Sequence, residues 1–387
     1  MGDPLRIAMI AACPFPAGRG TPVRILRMAE GLARRGHEVH VVTYPFGQGP
    51  MAADVTIHRI RDVLHYRRTE PGPSWQKLLV LDPLLAARTW RLLRARRIDV
   101  VHAHHVEGLL AGLVARGRRP MPIVYDVHTI LRTELPFYGP GVVRRLLARV
   151  GNTLDHRLPR HAAFVVAAHD DIRLRLIGAD PRLDGRIAVV PSGVELDRFM
   201  DAPVGPVPVD GLSLVYAGNL ATYQGIDLML HAFANLRSRR ADVRLRIVSD
   251  SPFVPYEALA TSLGVRHAID LVPGALHDLP RHLTDAAVAL NPRTVCDGLP
   301  QKLVNYMAAG APIVSFRGSA KHLTEGEHGV VVEDGDVIAF AAGIDRLLDD
   351  PALARRLGTN ARAYAREKLT WERTAEQVEA VYRRILA

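Results

Sequence analysis

Between residues 291 and 316 the chain reads NPRTVCDGLPQKLVNYMAAGAPIVSF, and this stretch gathers residue types suited to an anionic, hydroxyl-rich ligand. An apolar run stops at Asn291, Asp297 and Gly298 form a loop, and Leu299 and Pro300 lead into a helix ending near Gly310. Pro312 then opens another strand. Lys302 falls on the first turn of that helix and Asn305 three residues further on, so both can reach one ligand from the same face. Asp297, just before the helix, can accept hydrogen bonds from sugar hydroxyls. The chain has only four lysines among its 50 Lys and Arg residues, so Lys302 and Lys321 stand out here as compact point charges for phosphate.

Two other stretches have the same strand–loop–helix form. LVYAGNLATYQGIDLMLHAF (214–233) stops its strand at Gly218, carries Asn219, Tyr223 and Gln224 in a short loop, and starts a helix near Gly225. A helix start after a Gly-bearing loop is a phosphate-cradle architecture. CPFPAGRGTPVRILRMAEGLARRGHEV (13–39) places Gly18 and Gly20 in a close-approach loop, with Thr21 as a helix cap and Pro22 as the first helical residue. Arg19 and Arg24 lie near the positive end of that helix. They are unfavourable there unless something negative sits between them. The histidines in HAHH and VYDVHT, namely His104, His105 and His128, follow strand-like runs.

These loops need rigid elements to hold them, and the rest of the chain supplies the pattern. Apolar runs of strand length alternate with helical stretches in both halves, the rhythm of parallel sheets covered on both faces. Strands are expected at LRIAMIAAC, HEVHVVTY, IDVVHAHH, PIVYDVH, AAFVVAAH and RIAVVPSG, then at LSLVYAG, VRLRIVSD, IDLVPG, AAVALNP, APIVSF and HGVVVEDG. A Pro- and Gly-rich linker, DAPVGPVPVDG (201–211), separates the two sets, and WERTAEQVEAVYRRIL closes the chain as an amphipathic helix. Ligands of open parallel sheets bind beyond the carboxyl ends of the strands, where the three loops fall.

Composition narrows the class. At 387 residues, 48% hydrophobic and 23% charged, the chain has the make-up of a globular protein with room for two domains. LLVLDPLLAA is interrupted by Asp82 and Pro83, so no segment reads as a membrane span. Cys13 and Cys296 lack metal-ligand spacing, and the Glu333–Asp336 cluster is explained by a turn with helix capping; no metal is expected. The first 193 residues hold 29 basic and 16 acidic residues, a net of +13, leaving −3 of the total +10 for the remainder. Such a half suits an anionic partner. No nucleic-acid motif or aromatic platform accompanies the arginines, so nucleic acid is not the expected partner.

Six segments, taken in order, resemble the retaining family-4 glycosyltransferases over nearly the whole chain: the Gly loop with RRGHEVHVVT, DVVHAHH, VVPSGVELDRF, AGNLATYQGIDLMLHAF, DGLPQKLVNYMAAGAPIVSF and WERTAEQVEAVYRRIL. The resemblance implies an α/β GT-B fold, two doubly wound Rossmann-like domains facing across a cleft. Residues 1–197 would bind the acceptor, 198–367 the nucleotide-sugar, and 368–387 would form a helix returning to the first domain. It implies retaining transfer of a sugar from a UDP- or GDP-sugar to a hydroxyl acceptor in envelope polysaccharide or glycolipid synthesis, without a metal or other cofactor. The acceptor would be a saccharide, a lipid-linked or a small molecule. A natural-product (aminocyclitol) glycosyltransferase is an alternative, as are a nucleotide-sugar epimerase and, from another class, a non-catalytic nucleotide-sugar binder. A cytoplasmic location follows, with the basic helices at 84–97 and 142–150 as candidates for docking on the inner, anionic face of a membrane.

The resemblance also assigns roles. His128 matches the histidine that contacts the donor sugar, and Asp297 and Lys302 join it as catalytic candidates. The donor would meet Gly18, Gly20, Gly218, Asn219, Tyr223, Gln224, Gly225, Arg293, Gly298, Leu299, Pro300 and Asn305, the last at the ribose. Its base would lie against the backbone of Leu271–Gly274, including Pro273. Arg19, Thr21, Arg24, His104 and His105 are acceptor candidates, and Glu195 lies at the crossover. Four positions depart from the family pattern. Its diphosphate-binding Arg and Lys fall on Asn219 and Gln224, and its two Glu residues on Asp297 and Asn305. Arg293 and Lys302 are the nearest cations able to restore the lost charge.

Overall fold

The computed structural model describes residues 3–17, 20–47, 49, 54–68, 72, 74–199, 212–274, 278–296 and 298–387. Gly18, Arg19, Asp297 and the linker expected at 201–211 lie outside the described residues. The chain divides into two compact units, Met1–Gly193 with Trp371–Ala387, and Val194–Thr370. The divisions thus fall after Gly193 and after Thr370, against expectations of 197 and 367.

The first unit is a seven-stranded parallel sheet: β1 (Arg6–Ala11), β2 (Glu38–Thr43), β3 (Val55–Arg59), β4 (Val100–His104), β5 (Ile123–Val127), β6 (Phe164–Ala167) and β7 (Ile187–Val189), in the order β3-β2-β1-β4-β5-β6-β7. The second has six: β8 (Ser213–Ala217), β9 (Arg244–Val248), β10 (Ile269–Val272), β11 (Val288–Asn291), β12 (Ile313–Phe316) and β13 (Val330–Val332), in the order β10-β9-β8-β11-β12-β13. Both are doubly wound sheets of the Rossmann type, whose chain direction across the sheet reverses between β1 and β4 and between β8 and β11. β3 was not foreseen. It is an edge strand of VTIHR, too short and too polar for its alternation to register.

Strand burial follows from the topology. β4 and β5 are buried at every position, as parallel strands covered by helices on both faces must be. Side chains alternate between faces, so Val100, His102 and His104 share one face of β4 with Val124 and Asp126 of β5. That face is covered by helix Gly20–Arg34 and by the last helix, Trp371–Leu386, which belongs to the first unit. Gly31 lets these two helices touch: a Cβ there would lie 2.7 Å from that of Ala375. Tyr382 of the last helix is fully buried over the sheet.

Candidate functional site

In the second unit the site is built at the switch point, from the loops that follow the neighbouring strands β8 and β11. Gly225 allows those loops to meet. Its φ of +71° is the left-handed conformation that glycine tolerates, and a Cβ would lie 2.1 Å from the carbonyl oxygen of Pro292. Helix Ile226–Arg237 starts there with no side-chain cap, leaving its first-turn amides open to a ligand or water. The amides of Gly218 and Gly225, two of the residues expected to meet the donor, are already used: Gly218 donates to Val248 O at 3.0 Å and Gly225 to Thr222 O. Gly218 contributes room instead. With φ +146°, it leaves a gap in which a Cβ would stand 3.2 Å from Cε of Lys302.

Lys302 fills that gap. Its ammonium donates to Oη of Tyr216 and to Oε1 of Gln224, both at 2.7 Å, and lies 4.1 Å from the centre of the Tyr216 ring. Tyr216 in turn donates to the carbonyl of Asn219 at 2.7 Å. One helical turn beyond Lys302, the Tyr306 hydroxyl accepts the amide of Ala217 at 2.8 Å, pinning helix Gln301–Ala309 against the end of β8. Asn305 lies half-buried between them in sequence. Asn219 accepts from Gln224 Nε2 at 3.2 Å and donates to Tyr223 Oη at 3.4 Å. The Arg293 guanidinium stacks 4.9 Å from the centre of the Tyr223 ring while its Nε donates to Val295 O at 2.6 Å. Arg293 and Lys302 therefore reach the two neutral positions, Asn219 through Tyr223 and Gln224 directly.

Among the described residues, neither cation is paired with a carboxylate: every partner named above is neutral. Burial, and after it the charge of Arg293, push the Lys302 ammonium well below the ordinary lysine value. Pro273 is exposed after β10, and Gly274 donates to Asp250 Oδ1 at 2.8 Å. Gly298 accepts from the Cys296 thiol at 3.1 Å, and Leu299 and Pro300 lead into the Lys302 helix.

The first unit treats charge in the opposite way. Thr21, Arg24, His104, His105 and His128 do converge, at the switch point between β1 and β4, but Arg24 is turned inward. Its Nε and Nη2 lie 3.1 and 3.3 Å from the two carboxylate oxygens of Asp126, and it also donates to Ser192 Oγ and Val190 O. Only 3% of Arg24 and none of Asp126 is exposed. The negative group needed beside this helix end is thus Asp126, not a ligand. The helix starts at Gly20 rather than after Thr21. The Thr21 hydroxyl faces His105 Nε2 at 3.1 Å and His128 Nδ1 at 3.5 Å, so it links histidines instead of capping.

His104 and Asp126 are direct neighbours across β4 and β5. His104 Nδ1 lies 3.2 Å from His128 Nε2, and His102 Nδ1 lies 2.6 Å from the Tyr382 hydroxyl. Burial, then the neighbouring His102, push His104 down to about 3; burial likewise holds His128 well below its ordinary value. Burial would raise the Asp126 carboxyl, but Arg24 and the surrounding histidines outweigh it and hold it well below the carboxylate range. The Asp126 carboxylate, 3.5 Å from His104 Nδ1, favours a proton on that nitrogen; His104 is then assigned as donor to His128, His128 to Thr21 and Thr21 to His105. His102, His104 and Asp126 could present ligand atoms to a metal. Arg24 already occupies both carboxylate oxygens, and a metal cation there would face its charge at close range.

Sequence reasoning missed Tyr216, Asp126, His102 and Tyr382. Asp126 and His102 could have been found. HAH and DVH are residues two apart on adjacent strands, which puts all four side chains on one face. Nothing local marks Tyr382 as the partner of His102, since they are 280 residues apart.

Two doubly wound parallel sheets, each with its own switch point, define an α/β protein built of two Rossmann-type units. The comparisons then narrow the class. The Glycosyltransferase Family 4 description matches residues 18–198 and Glycosyl transferases group 1 matches residues 211–350. The chain belongs to the family-4 glycosyltransferases, with the GT-B fold, and is a glycosyltransferase. It is 29% identical to the D-inositol 3-phosphate glycosyltransferase of Acidothermus cellulolyticus, over 99% of this chain and 91% of that one. It is 28% identical to the MMP alpha-(1->4)-mannosyltransferase of Mycolicibacterium hassiacum, over 99% of both. Its fold matches sucrose-phosphate synthase from Thermosynechococcus elongatus with a TM-score of 0.80 at 18% identity, covering 98% of this chain and 99% of that one. Anabaena HepE, solved with UDP and glucose, gives 0.74 at 16% identity, covering 98% and 100%.

Proposed function

We propose that the chain transfers a sugar, with retention at the anomeric carbon, from a UDP- or GDP-sugar to a hydroxyl acceptor, and needs no metal to do so. The observation that carries this reading is a pair of cations that have no carboxylate partner among the described residues, Lys302 and Arg293, beside an uncapped helix start. Two positive charges held apart from any counter-ion cost free energy unless an anion joins them. A nucleoside diphosphate supplies that anion, and HepE, of the same fold, is solved with UDP.

As the anomeric carbon–oxygen bond breaks, charge grows on the departing β-phosphate. Lys302, Arg293 and the first-turn amides of helix Ile226–Arg237 oppose that charge where it develops. The acceptor oxygen enters on the same face, and its proton passes to the departing phosphate oxygen. His128, with both ring nitrogens facing His104 and Thr21, would meet the donor sugar by its ring edge and hold Thr21 in place, and Thr21 and His105 suit the acceptor. Asp297 would hold donor-sugar hydroxyls and Asn305 the ribose.

Replacing both Lys302 and Arg293 with Met should lower kcat/KM for the sugar donor by ~100-fold or more, at roughly 1.5–3 kcal/mol for each charge-assisted bond. Transfer at the original rate would sink this reading. Envelope polysaccharide or glycolipid is the acceptor class we favour. Phe137, Val142, Leu146 and Val150 are exposed beside Arg145 and Arg149, a face suited to an anionic membrane, and among the described residues no helix is long and apolar enough to cross one. The inositol phosphate named for several relatives supports a small-molecule acceptor instead. Leu146→Asp should abolish sedimentation with phosphatidylglycerol vesicles if the first is right.

A further inference from the structure

A second group of cations, in the first unit, lacks carboxylate partners among the described residues and plays no part in the transfer described above. Beyond the end of β3, Arg59 and Arg61 face Arg88 and Arg91 of helix Asp82–Ala95 across a cavity of about 340 Å³, floored by Ile60, Leu84 and Ala87. That volume lies at the small end of ligand pockets.

The partners of its arginines are neutral. Arg59 donates to the carbonyl of Phe15 at 2.8 Å. Arg88 donates to His58 Nδ1 at 3.0 Å, which requires a lone pair on that nitrogen. His58 Nε2–H is then directed at His40 Nδ1, 3.2 Å away, and His40 Nε2–H at Glu38, 3.0 Å away. Burial, then the charge of Arg88, push His58 down to about 4, so it does not itself add charge. The nearest acid in sequence, Asp62, is bound to Arg67 at 2.6 Å. Among the described residues, no carboxylate pairs with any of the four. Arg59 and Arg88 are also half-buried, which removes much of the water that would otherwise stabilise them.

Four guanidiniums around one concavity, two of them held by neutral acceptors, form a site for an anion with several oxygens. Guanidinium forks match phosphate geometry, and the apolar floor fits the carbon skeleton of a phosphate ester. We infer that this cavity at the end of β3 binds the phosphate group of a phosphate monoester, borne either by a soluble sugar phosphate or by a lipid headgroup.

The test uses the full chain carrying Lys302→Met and Arg293→Met, so that the donor-side cations contribute nothing and a failure of either proposal is read separately. Glucose 6-phosphate is titrated by calorimetry, with glucose as the control, and sedimentation is measured with vesicles of phosphatidylcholine with and without phosphatidic acid. Adding Arg88→Gln and Arg91→Gln should weaken at least one of these interactions tenfold or more. Arg94→Gln, one turn on and stacked over Trp90, should change it less than twofold. Loss of glucose 6-phosphate binding assigns a soluble ligand. Loss of phosphatidic acid binding, with Arg145→Gln and Arg149→Gln without effect, assigns a headgroup. Arg91 is exposed, so Arg91→Glu alone gives a folded variant that should show the same loss. No binding of either probe at millimolar concentration, or binding indifferent to these substitutions, overturns the proposal.

Discussion

Two groups of charged residues sit at the switch points of the two sheets, and they are built on opposite principles. In the first unit Arg24 and Asp126 neutralise each other out of water, and burial holds His104 and His128 beside them well below the ordinary histidine value. In the second unit Lys302 and Arg293 have, among the described residues, only neutral partners, and the charge of Arg293 adds to burial in depressing Lys302. A compensated buried pair holds the fold and sets proton positions. An uncompensated pair waits for a ligand. Residue type alone does not separate the two, because both contain an arginine on or beside a helix start.

The largest contrast should appear in stability. Arg24→Met leaves the Asp126 carboxylate buried without its partner, a loss of about 3–5 kcal/mol. Lys302→Met removes a cation whose charged form the fold disfavours, so the urea midpoint should hold or rise. Equal destabilisation by the two substitutions would erase the distinction drawn here.

Acid should distinguish the regions next. His104 and His128 stay neutral in the folded chain well below pH 6.5, whereas in the unfolded chain they take up protons near that value. The unfolded state then binds more protons, so stability falls as pH drops from about 6.5 towards 3. Asp126, held low, adds its own loss as pH falls below about 4. Denaturation midpoints measured between pH 7 and pH 4 should show that slope, and His104→Gln should make it shallower.

Alkali acts on the other region. Lys302 loses its proton below the ordinary lysine range, so the KM for the sugar donor should be flat at low pH and rise once the ammonium is lost. Lys302→Arg keeps its charge to far higher pH and should remove that rise. An unaltered KM–pH profile in Lys302→Arg would show that Lys302 does not face the donor.

Most of the framework could be read in advance because parallel strands buried on both faces leave continuous apolar runs, and the loops that carry chemistry end them. The helix starting at Gly225 and the one ending at Gly310 were foreseen for the same reason: both glycines adopt positive φ, at +71° and +70°. What escaped was direction. Arg24 read as an acceptor-binding cation beside a helix start because its partner, Asp126, lies 102 residues away on another strand. The roles of Gly218 and its neighbour Tyr216 became visible only when the Lys302 side chain was seen passing between strand and helix. Asp297 lies outside the described residues.

The finest test exchanges the two ways of placing charge at the diphosphate position. Gln224→Lys alone sets a second ammonium against Lys302, whose nitrogen lies 2.7 Å from the present Gln224 oxygen. Like charges that close, at a position only 5% exposed, should cost stability by several kcal/mol, on the order of 4 at 4 Å, with little gain in turnover. In the Lys302→Met background the new lysine has no rival and stands where the family carries one. Part of the lost kcat/KM should then return, on the order of tenfold, as one charge-assisted bond is regained. Failure of that rescue, with the fold intact, would mean that the charge must come from the β11 side and that Gln224 serves only to orient Lys302.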